Sequence, residues 1–320
     1  MIHLNYIDKQ FQSLTDHLKS LSKEEIFKQT KNAFFNINPQ IQNSIEDYFK
    51  KFPYWGKLDC KNQEYEHFDA KAETLSGHLN ELIWLYDKLS DYRSKKLLLA
   101  ILNNWYQYDF TTLDSSHEKN YSHYFDLDLV SCKDEVFVDL GAYIGDTVLD
   151  FIHTYGSDGY KKIYAYEISS DTIEYLKQNT SPYPNIEIRT KAVIDQISTM
   201  YLGENSVDAS ANTVEASGTQ EIETTSLDLD IEEPITMIKM DIEGSEQQAL
   251  IGAKNHIQKE HPKLLISVYH NLVDLWKIPT MIEEMCPDTY QFYLRSYGGS
   301  IFPTEIVLLA IPQNKNTSAK

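Results

Sequence analysis

The sequence has few cysteines, and this shortage excludes two kinds of stabilisation. Only three occur among the 320 residues, Cys60, Cys132 and Cys286, and they lie far apart with no CxxC pair. Disulfide frameworks and structural zinc sites need a denser arrangement, so a reducing compartment fits the sequence best. The first ten residues also lack the basic and then apolar segments of a secretory signal peptide. Together these features predict a cytoplasmic location.

Long apolar runs and basic residues are scarce as well. No purely apolar run is longer than the six residues of 97–102, whereas a membrane-spanning helix needs about 20. Lysine and arginine total 29 against 48 acidic residues, which gives a formal net charge of −19. A surface of that sign repels nucleic-acid phosphates and anionic membranes, so neither is expected as a partner. A small molecule or a carbohydrate remains compatible, and no feature specifies an oligomeric state.

The first 120 residues have the pattern of helices. Ser22-Lys-Glu-Glu25 has the spacing of a capping box, and Asn38-Pro39 is typical of a helix start. Apolar residues on one face predict another helix over 91–106, with Ser90 as its cap. We therefore predict a helical N-terminal region over residues 1–120.

Residues 121–320 have a different pattern, in which short β-rich runs alternate with helical stretches. This alternation is typical of α/β proteins with a parallel sheet, and the last two runs form a hairpin-like pair. A loop rich in serine, alanine and asparagine, Ser206–Gly218, interrupts the pattern and is expected to be mobile. The predicted core strands cover residues 136–140, 162–166, 186–193, 235–241, 263–269, 290–297 and 305–311.

The first candidate site is a glycine turn between a strand and a helix. In Val136-Phe-Val-Asp-Leu-Gly-Ala-Tyr-Ile-Gly-Asp146, Gly141 and Gly145 let the backbone turn tightly and come close to a ligand. The spacing is not that of GxGxxG, and GxxxxGK[ST] does not occur in the sequence. Dinucleotide and nucleoside triphosphate binding are therefore disfavoured.

Polar side chains follow the ends of three further predicted strands. Glu167 ends the second strand, where an acid can accept both hydroxyls of a ribose. Asp241 and Glu243 follow a later strand, and Glu246 is either functional or a first-turn acid favoured by the helix dipole. His270 ends the next strand, and its ordinary pKa of about 6.5 suits a general base.

These blocks, in this order, resemble the FkbM-type S-adenosylmethionine-dependent methyltransferases over about residues 121–312. The most specific block is Ile238-Lys-Met-Asp-Ile-Glu-Gly-Ser-Glu246, which follows the glycine turn and Ile163-Tyr-Ala-Tyr-Glu167. His123-Tyr-Phe-Asp126 and Pro262-Lys-Leu-Leu-Ile-Ser-Val-Tyr-His270 complete the match. The resemblance implies a Rossmann-like, seven-stranded, mostly parallel sheet with an antiparallel last strand. It also implies methyl transfer to a hydroxyl, with residues 121–320 as the catalytic domain.

The resemblance also implies the residues that bind S-adenosylmethionine. Glu167 is expected to hold the ribose, Ile168 to lie beside the adenine, and Ala192 and Asp195 to lie near the adenine ring. Tyr124 is expected to cover the cofactor. Tyr143 stands where many methyltransferases have a third glycine. The residues expected around the methionine portion and the start of the next helix are Asp139, Gly141, Ala142, Tyr143, Gly145 and Asp146.

Two mechanisms fit the predicted catalytic residues. In the first, His270 is the general base, and Asp241 orients either that base or the acceptor hydroxyl. In the second, Asp241, Glu243 and His270 hold a divalent metal that binds the acceptor oxygens. The first is preferred. The resemblance points to a sugar hydroxyl in a surface glycan or a secondary metabolite, without specifying which sugar. The loop Ser206–Gly218 and the N-terminal helices are expected to shape the acceptor pocket.

Two other functions and two cationic residues complete the predictions. A nicotinamide-dependent oxidoreductase is disfavoured by the glycine spacing, and a non-catalytic Rossmann-like scaffold is disfavoured by the acids at the strand ends.

Arg295 and Lys239 lie near strand ends, where they either meet an acidic or phosphorylated acceptor or form an ion pair.

Overall fold

The computed structural model describes residues 4–52, 56–203, 213–215, 221–299, 301 and 303–313. The chain divides into two compact units. The first contains Met1–Lys119, Val268–Thr280 and Phe292–Val307, and the second contains Asn120–Ser267, Met281–Gln291 and Leu308–Lys320. Within the described residues, no helix is both long enough and apolar enough to cross a bilayer.

The first unit is largely helical, as the sequence patterns predict. Ser22 forms the expected capping box with Glu25, and Asn38 caps the helix that begins at Pro39. The helix predicted over 91–106 is present, but its cap is Asp91 rather than Ser90, because the Asp91 carboxylate accepts the Ser94 N–H. The helices are α1 Tyr6–Lys19, α2 Lys23–Asn36, α3 Pro39–Lys51, α4 Glu66–Gly77, α5 Leu79–Lys88, α6 Tyr92–Gln107 and α7 Phe110–Asp114.

The rest of the chain alternates strands and helices. The elements are β1 Glu135–Leu140, α8 Asp146–Tyr155, β2 Tyr160–Tyr166, α9 Ser170–Thr180, β3 Ile186–Arg189, β4 Ala192–Val193, β5 Thr199–Gly203, β6 Thr213–Glu215, β7 Glu221–Thr225, α10 Leu227–Asp230, β8 Met237–Met240, α11 Glu246–Gly252, α12 Lys254–Glu260, β9 Lys263–Ser267, α13 Asp274–Met285, β10 Tyr290–Ser296 and β11 Ile306–Pro312. A short 3₁₀ helix, Ser157–Gly159, precedes β2.

Seven strands form the main sheet, in the order β10-β11-β9-β8-β1-β2-β3. The sheet is mostly parallel, with the last strands antiparallel, so the predicted Rossmann-like α/β fold is confirmed. Every residue of β1 is buried, as expected for a strand that has a neighbour on each side and helices over both faces. Parallel registers align Leu140 with Tyr166 on one side and with Met240 on the other. The carboxyl ends of these three strands therefore lie together.

The third predicted strand, residues 186–193, was wrong as a single strand. Ile186–Arg189 pairs with β2 in the main sheet, whereas Ala192–Val193 pairs with β7 in a second sheet of order β4-β7-β5-β6. The chain passes from the main sheet to the second sheet over the two residues between these strands, 190 and 191. Of the predicted loop Ser206–Gly218, residues 213–215 form β6, and the others lie outside the described residues.

Candidate functional site

The strand-end residues of the second unit meet at one edge of the sheet. β1, β2 and β8 are adjacent and parallel, and their ends deliver Asp139, Glu167 and Asp241 to this edge. The strands before these acids are buried and mostly apolar, with Glu167 and Asp241 directly after β2 and β8 and Asp139 as the last residue but one of β1. In open α/β sheets this edge is where ligands bind.

The glycine turn after β1 has a backbone that only glycine fits at Gly141. Its φ is +79°, and a Cβ built there would overlap the carbonyl oxygen of Asp241. Gly145, with φ +87°, precedes the first residue of α8, and Tyr143 also has a positive φ of +47°. Tyr143, which stands where many methyltransferases have a third glycine, therefore has a backbone conformation that residues with side chains rarely adopt. This close packing leaves bare backbone facing the sheet edge.

Glu167 connects the end of β2 to this turn. One carboxylate oxygen accepts the N–H of Tyr143 at 2.8 Å, and the other accepts the N–H groups of Ile168 and Ser169, each at 2.8 Å. Burial raises the pKa of Glu167, against the opposing effect of these three donors and of the Thr172 hydroxyl. Carboxylate oxygens accept hydrogen bonds, so this side chain is a possible acceptor for a ligand hydroxyl at the sheet edge.

Asp139 and Lys239 form an ion pair beneath the turn. The Lys239 Nζ lies 2.9 Å from Asp139 Oδ1 and donates to the carbonyl oxygen of Gly141 at 2.7 Å. Both side chains are fully buried. Burial raises the pKa of Asp139 to about 6, even though Lys239 lowers it. Of the two predicted roles for Lys239, the ion pair is confirmed, and Asp139 supports the turn through that lysine.

Tyr124 and His123 form an aromatic pair over Asp241. The Tyr124 hydroxyl donates to Asp241 Oδ2 at 2.6 Å and lies 3.3 Å from the Ser267 hydroxyl. The imidazole of His123 stacks on the Tyr124 ring with centroids 4.0 Å apart. Tyr124 has a φ of +69°, which is unusual for an aromatic residue and typical of functional sites.

The sequence analysis did not select His123 as a site residue. Burial lowers the pKa of His123 to about 4, with Asp241 raising it and Lys239 lowering it further. The imidazole is therefore neutral at physiological pH. Its place in the block His123-Tyr-Phe-Asp126 was the only signal, because nothing in a sequence reports the burial of a single histidine.

Residues predicted near the adenine are only partly brought together. Ile168 packs with Ala192 and Ile222 in a small apolar cluster. Asp195 is exposed, two residues beyond β4, and is not part of that cluster. Asp146 is also exposed, and as the first residue of α8 its charge is favoured by the helix dipole.

The other predicted residues belong to both units of the chain. Asp241 and Glu243 belong to the second unit, where Glu243 has a φ of +54°, whereas His270 belongs to the first. Glu246 begins α11 and accepts the Ile242 N–H at 2.9 Å, which fits the first-turn role. Arg295 is buried in the first unit, and its guanidinium lies 2.7 Å from Asp91.

A cavity of about 490 Å³ lies within the first unit. His270 is part of its wall, together with helix residues of the N-terminal region and the chain around residue 304. The predicted general base therefore borders a space large enough for a small molecule.

Comparisons with known proteins identify the family of this arrangement. The family model described as the methyltransferase FkbM domain matches residues 139–298, which are half of the chain. The crystal structure of an FkbM methyltransferase from Methylobacillus flagellatus is similar, with a TM-score of 0.65 and 24% identity. That match covers 82% of this chain and 65% of the other, so the chain spans less than two thirds of the Methylobacillus protein. It shows a shared fold.

Other solved structures match less of the chain. An rRNA methylase from Streptococcus thermophilus has 18% identity and a TM-score of 0.36, over 57% of this chain and 90% of that chain. Fibrillarin from Aeropyrum pernix, bound to S-adenosyl-L-methionine, has 12% identity and a TM-score of 0.35, over 56% of this chain and 67% of that chain. No curated protein sequence matches the chain.

Proposed function

Since the chain belongs to the FkbM methyltransferase family, we propose that it is a cytoplasmic S-adenosylmethionine-dependent O-methyltransferase. The acceptor in this proposal is a sugar hydroxyl of a surface glycan or a secondary metabolite. The observation that supports it best is the glycine turn beside Glu167, at the carboxyl edge of the parallel sheet. That edge falls within the segment that the family model matches.

The residues of this edge fit the cofactor in chemical terms. A Cβ at Gly141 would overlap the carbonyl oxygen of Asp241, so the glycine lets the turn pack against the chain that follows β8. The Glu167 carboxylate is an acceptor suited to a ribose hydroxyl, and Ile168 with Ala192 offers an apolar surface for an adenine. When bound, S-adenosylmethionine would supply a methyl group already activated by the sulfonium. Catalysis then depends on aligning the acceptor oxygen and on removing its proton.

Two side chains are proposed for that task. His270 takes the proton of the acceptor hydroxyl, and Asp241 orients either the base or the acceptor. Support for His270 comes from its place in the cavity wall and from its near-complete burial. Support for Asp241 comes from its hydrogen bond with Tyr124, which fixes the carboxylate at the sheet edge.

Calorimetric titration of the purified protein with S-adenosylmethionine and S-adenosylhomocysteine tests the cofactor site. We expect micromolar dissociation constants for both, and no binding of NAD in the parallel control titration. Binding of NAD instead would favour the oxidoreductase. If neither sulfur compound binds, with or without acceptor candidates, the methyltransferase proposal fails and the scaffold becomes the better explanation.

Replacing His270 with alanine tests the general base. We expect kcat to fall about 10²-fold, since a positioned base contributes at least this much, while the dissociation constant for S-adenosylhomocysteine stays within twofold. The assay uses the first acceptor found in a screen of nucleotide sugars and glycans. His153→Ala is the matched control because His153 is exposed in the last turn of α8. Full turnover by the His270 variant would rule out this role.

The alternative mechanism, in which Asp241, Glu243 and His270 hold a divalent metal, predicts a different response to chelation. In that case EDTA abolishes turnover and an added divalent ion restores it. With His270 as a simple base, turnover is unchanged by EDTA, and the variant is not rescued by metal.

A further inference from the structure

The cavity of the first unit contains a buried lysine that has no anionic partner among the described residues. Lys71 lines the cavity and is only 2% exposed. Among the residues that the structure describes, none accepts a hydrogen bond from its Nζ or forms an ion pair with it, and the Nζ lies over the Tyr108 ring, 4.2 Å from the ring centroid. Buried lysines are nearly always paired, so an unpaired one that faces a cavity indicates a binding site.

His67 lies on the same face of α4, four residues before Lys71. It also lines the cavity and is 9% exposed. Its Nε2 is buried, with no hydrogen-bond partner within the described part of the chain. Burial, followed by the nearby Lys71 charge, lowers the pKa of His67 well below its usual value, so the ring is neutral. A neutral imidazole beside an ammonium group can donate a hydrogen bond to an oxygen anion.

The acidic residues of the cavity wall do not neutralise Lys71. Glu73 lies 2.9 Å from the ammonium of Lys23, and Glu66 lies 3.9 Å from that of Lys57. Both glutamate side chains are more than half exposed to solvent. Burial lowers the pKa of Lys71 to about 7, so its positive charge is partial near neutral pH, and an anion bound beside it would favour the charged form.

The remaining wall suits a sugar ring. Its volume of about 490 Å³ lies in the range of small-molecule sites, about 300–1,000 Å³. Trp105 and Phe49 are buried in the wall and present flat apolar faces. His270, proposed above as the general base, lies in the same wall. A molecule bound in this cavity would therefore share its wall with the proposed base.

We propose that this cavity binds an acidic sugar as the methyl acceptor, with Lys71 pairing with its anionic group and His67 donating a hydrogen bond to it. This inference rests on the proposed function and deepens it by naming the substrate class. The anionic group is either a carboxylate, as in a uronic acid, or a phosphate ester. A lysine ammonium is a compact point charge and can pair with either group. The two cations selected from the sequence, Lys239 and Arg295, are already in ion pairs and are not available for this role.

Calorimetry on the full-length protein, saturated with S-adenosylhomocysteine, tests the preference for an acidic sugar. The probes are glucuronic acid, glucose 6-phosphate and glucose. We expect at least one acidic probe to bind ten or more times as tightly as glucose, and the tighter of the two acids identifies the anionic group. Equal binding of all three probes, or no binding of any, would overturn the proposal.

Variants locate the preference at Lys71. Lys71→Met should bring the affinities for the acidic probe and for glucose to within twofold of each other. Lys71→Gln replaces this variant if the methionine variant does not fold. Lys9→Met, an exposed lysine of α1, changes the net charge equally and should keep the wild-type ratio. A Lys71 variant that keeps the preference would refute the site. S-adenosylhomocysteine binding by the same samples separates this failure from failure of the proposed function.

Discussion

Replacing Lys239 with methionine is expected to lower the free energy of unfolding by about 3–5 kcal/mol, the usual cost of removing one partner of a buried ion pair. The buried Asp139 carboxyl is then left without its cation, so it must either carry an unpaired charge or take up a proton, and the carbonyl of Gly141 loses its donor. Both effects act on the glycine turn, so S-adenosylhomocysteine binding should weaken as well. Urea unfolding, with hydrogen exchange of the β1 amides, measures the change in stability.

The same variant should respond to pH. Without Lys239, the pKa of Asp139 rises further above the value of about 6 that burial already produces. Above about pH 4, the folded variant then holds a proton that the unfolded chain has released, so its stability falls as pH increases. We therefore expect the substitution to lower the free energy of unfolding more at pH 8 than at pH 5.

Two controls separate the buried pair from a general charge effect. Lys177→Met removes an exposed lysine that pairs with exposed Glu174, and the expected loss is below about 1 kcal/mol. The double variant Asp139→Asn, Lys239→Met should lose clearly less than the sum of the two single losses, because neither charge is left alone. The assigned ion pair would be contradicted if the stability losses of the two single variants simply add in the double variant. It would also be contradicted if Lys239→Met loses no more stability than Lys177→Met.

The position of the site could be predicted because local features determine it. A strand buried on both faces is a short, mostly apolar run, and a polar residue at its carboxyl end lies at the sheet edge. Asp139, Glu167 and Asp241 were all recognisable in this way. Parallel register then brings the three strand ends together, although β8 is about 100 residues after β1.

The chemistry of single side chains could not be predicted, because it depends on neighbours that are distant in sequence. Lys239 is a cation inside an apolar run, and only the β1–β8 pairing shows that its partner is Asp139. Lys71 looks like any lysine of an amphipathic helix until the packing of α4 buries it. The strand over 186–193 has one continuous pattern, yet its two halves join different sheets. Hydrophobic periodicity indicates which residues are buried, but it does not identify the residues that they contact.

Replacing Gly141 with alanine is expected to abolish measurable S-adenosylhomocysteine binding, with at least a 10²-fold loss of affinity. The added Cβ would overlap the carbonyl oxygen of Asp241, and both atoms belong to backbone that side-chain motion cannot relieve. The turn must therefore move, and it carries the Tyr143 N–H away from Glu167. Calorimetric titration measures the affinity, and circular dichroism checks that the sheet is retained.

Gly156 provides a matched control for this substitution. Its φ of +76° is close to the +79° of Gly141, but a Cβ there would meet no atom within 4 Å. Gly156→Ala also places a side chain at a positive φ, with a ψ of 179° that is essentially confined to glycine, so it has a backbone penalty of about 1–3 kcal/mol without the overlap. We expect it to lower the thermal midpoint by a few degrees and to keep cofactor affinity within twofold. Equal affinities for the two variants would show that the close approach at Gly141 is not required for cofactor binding.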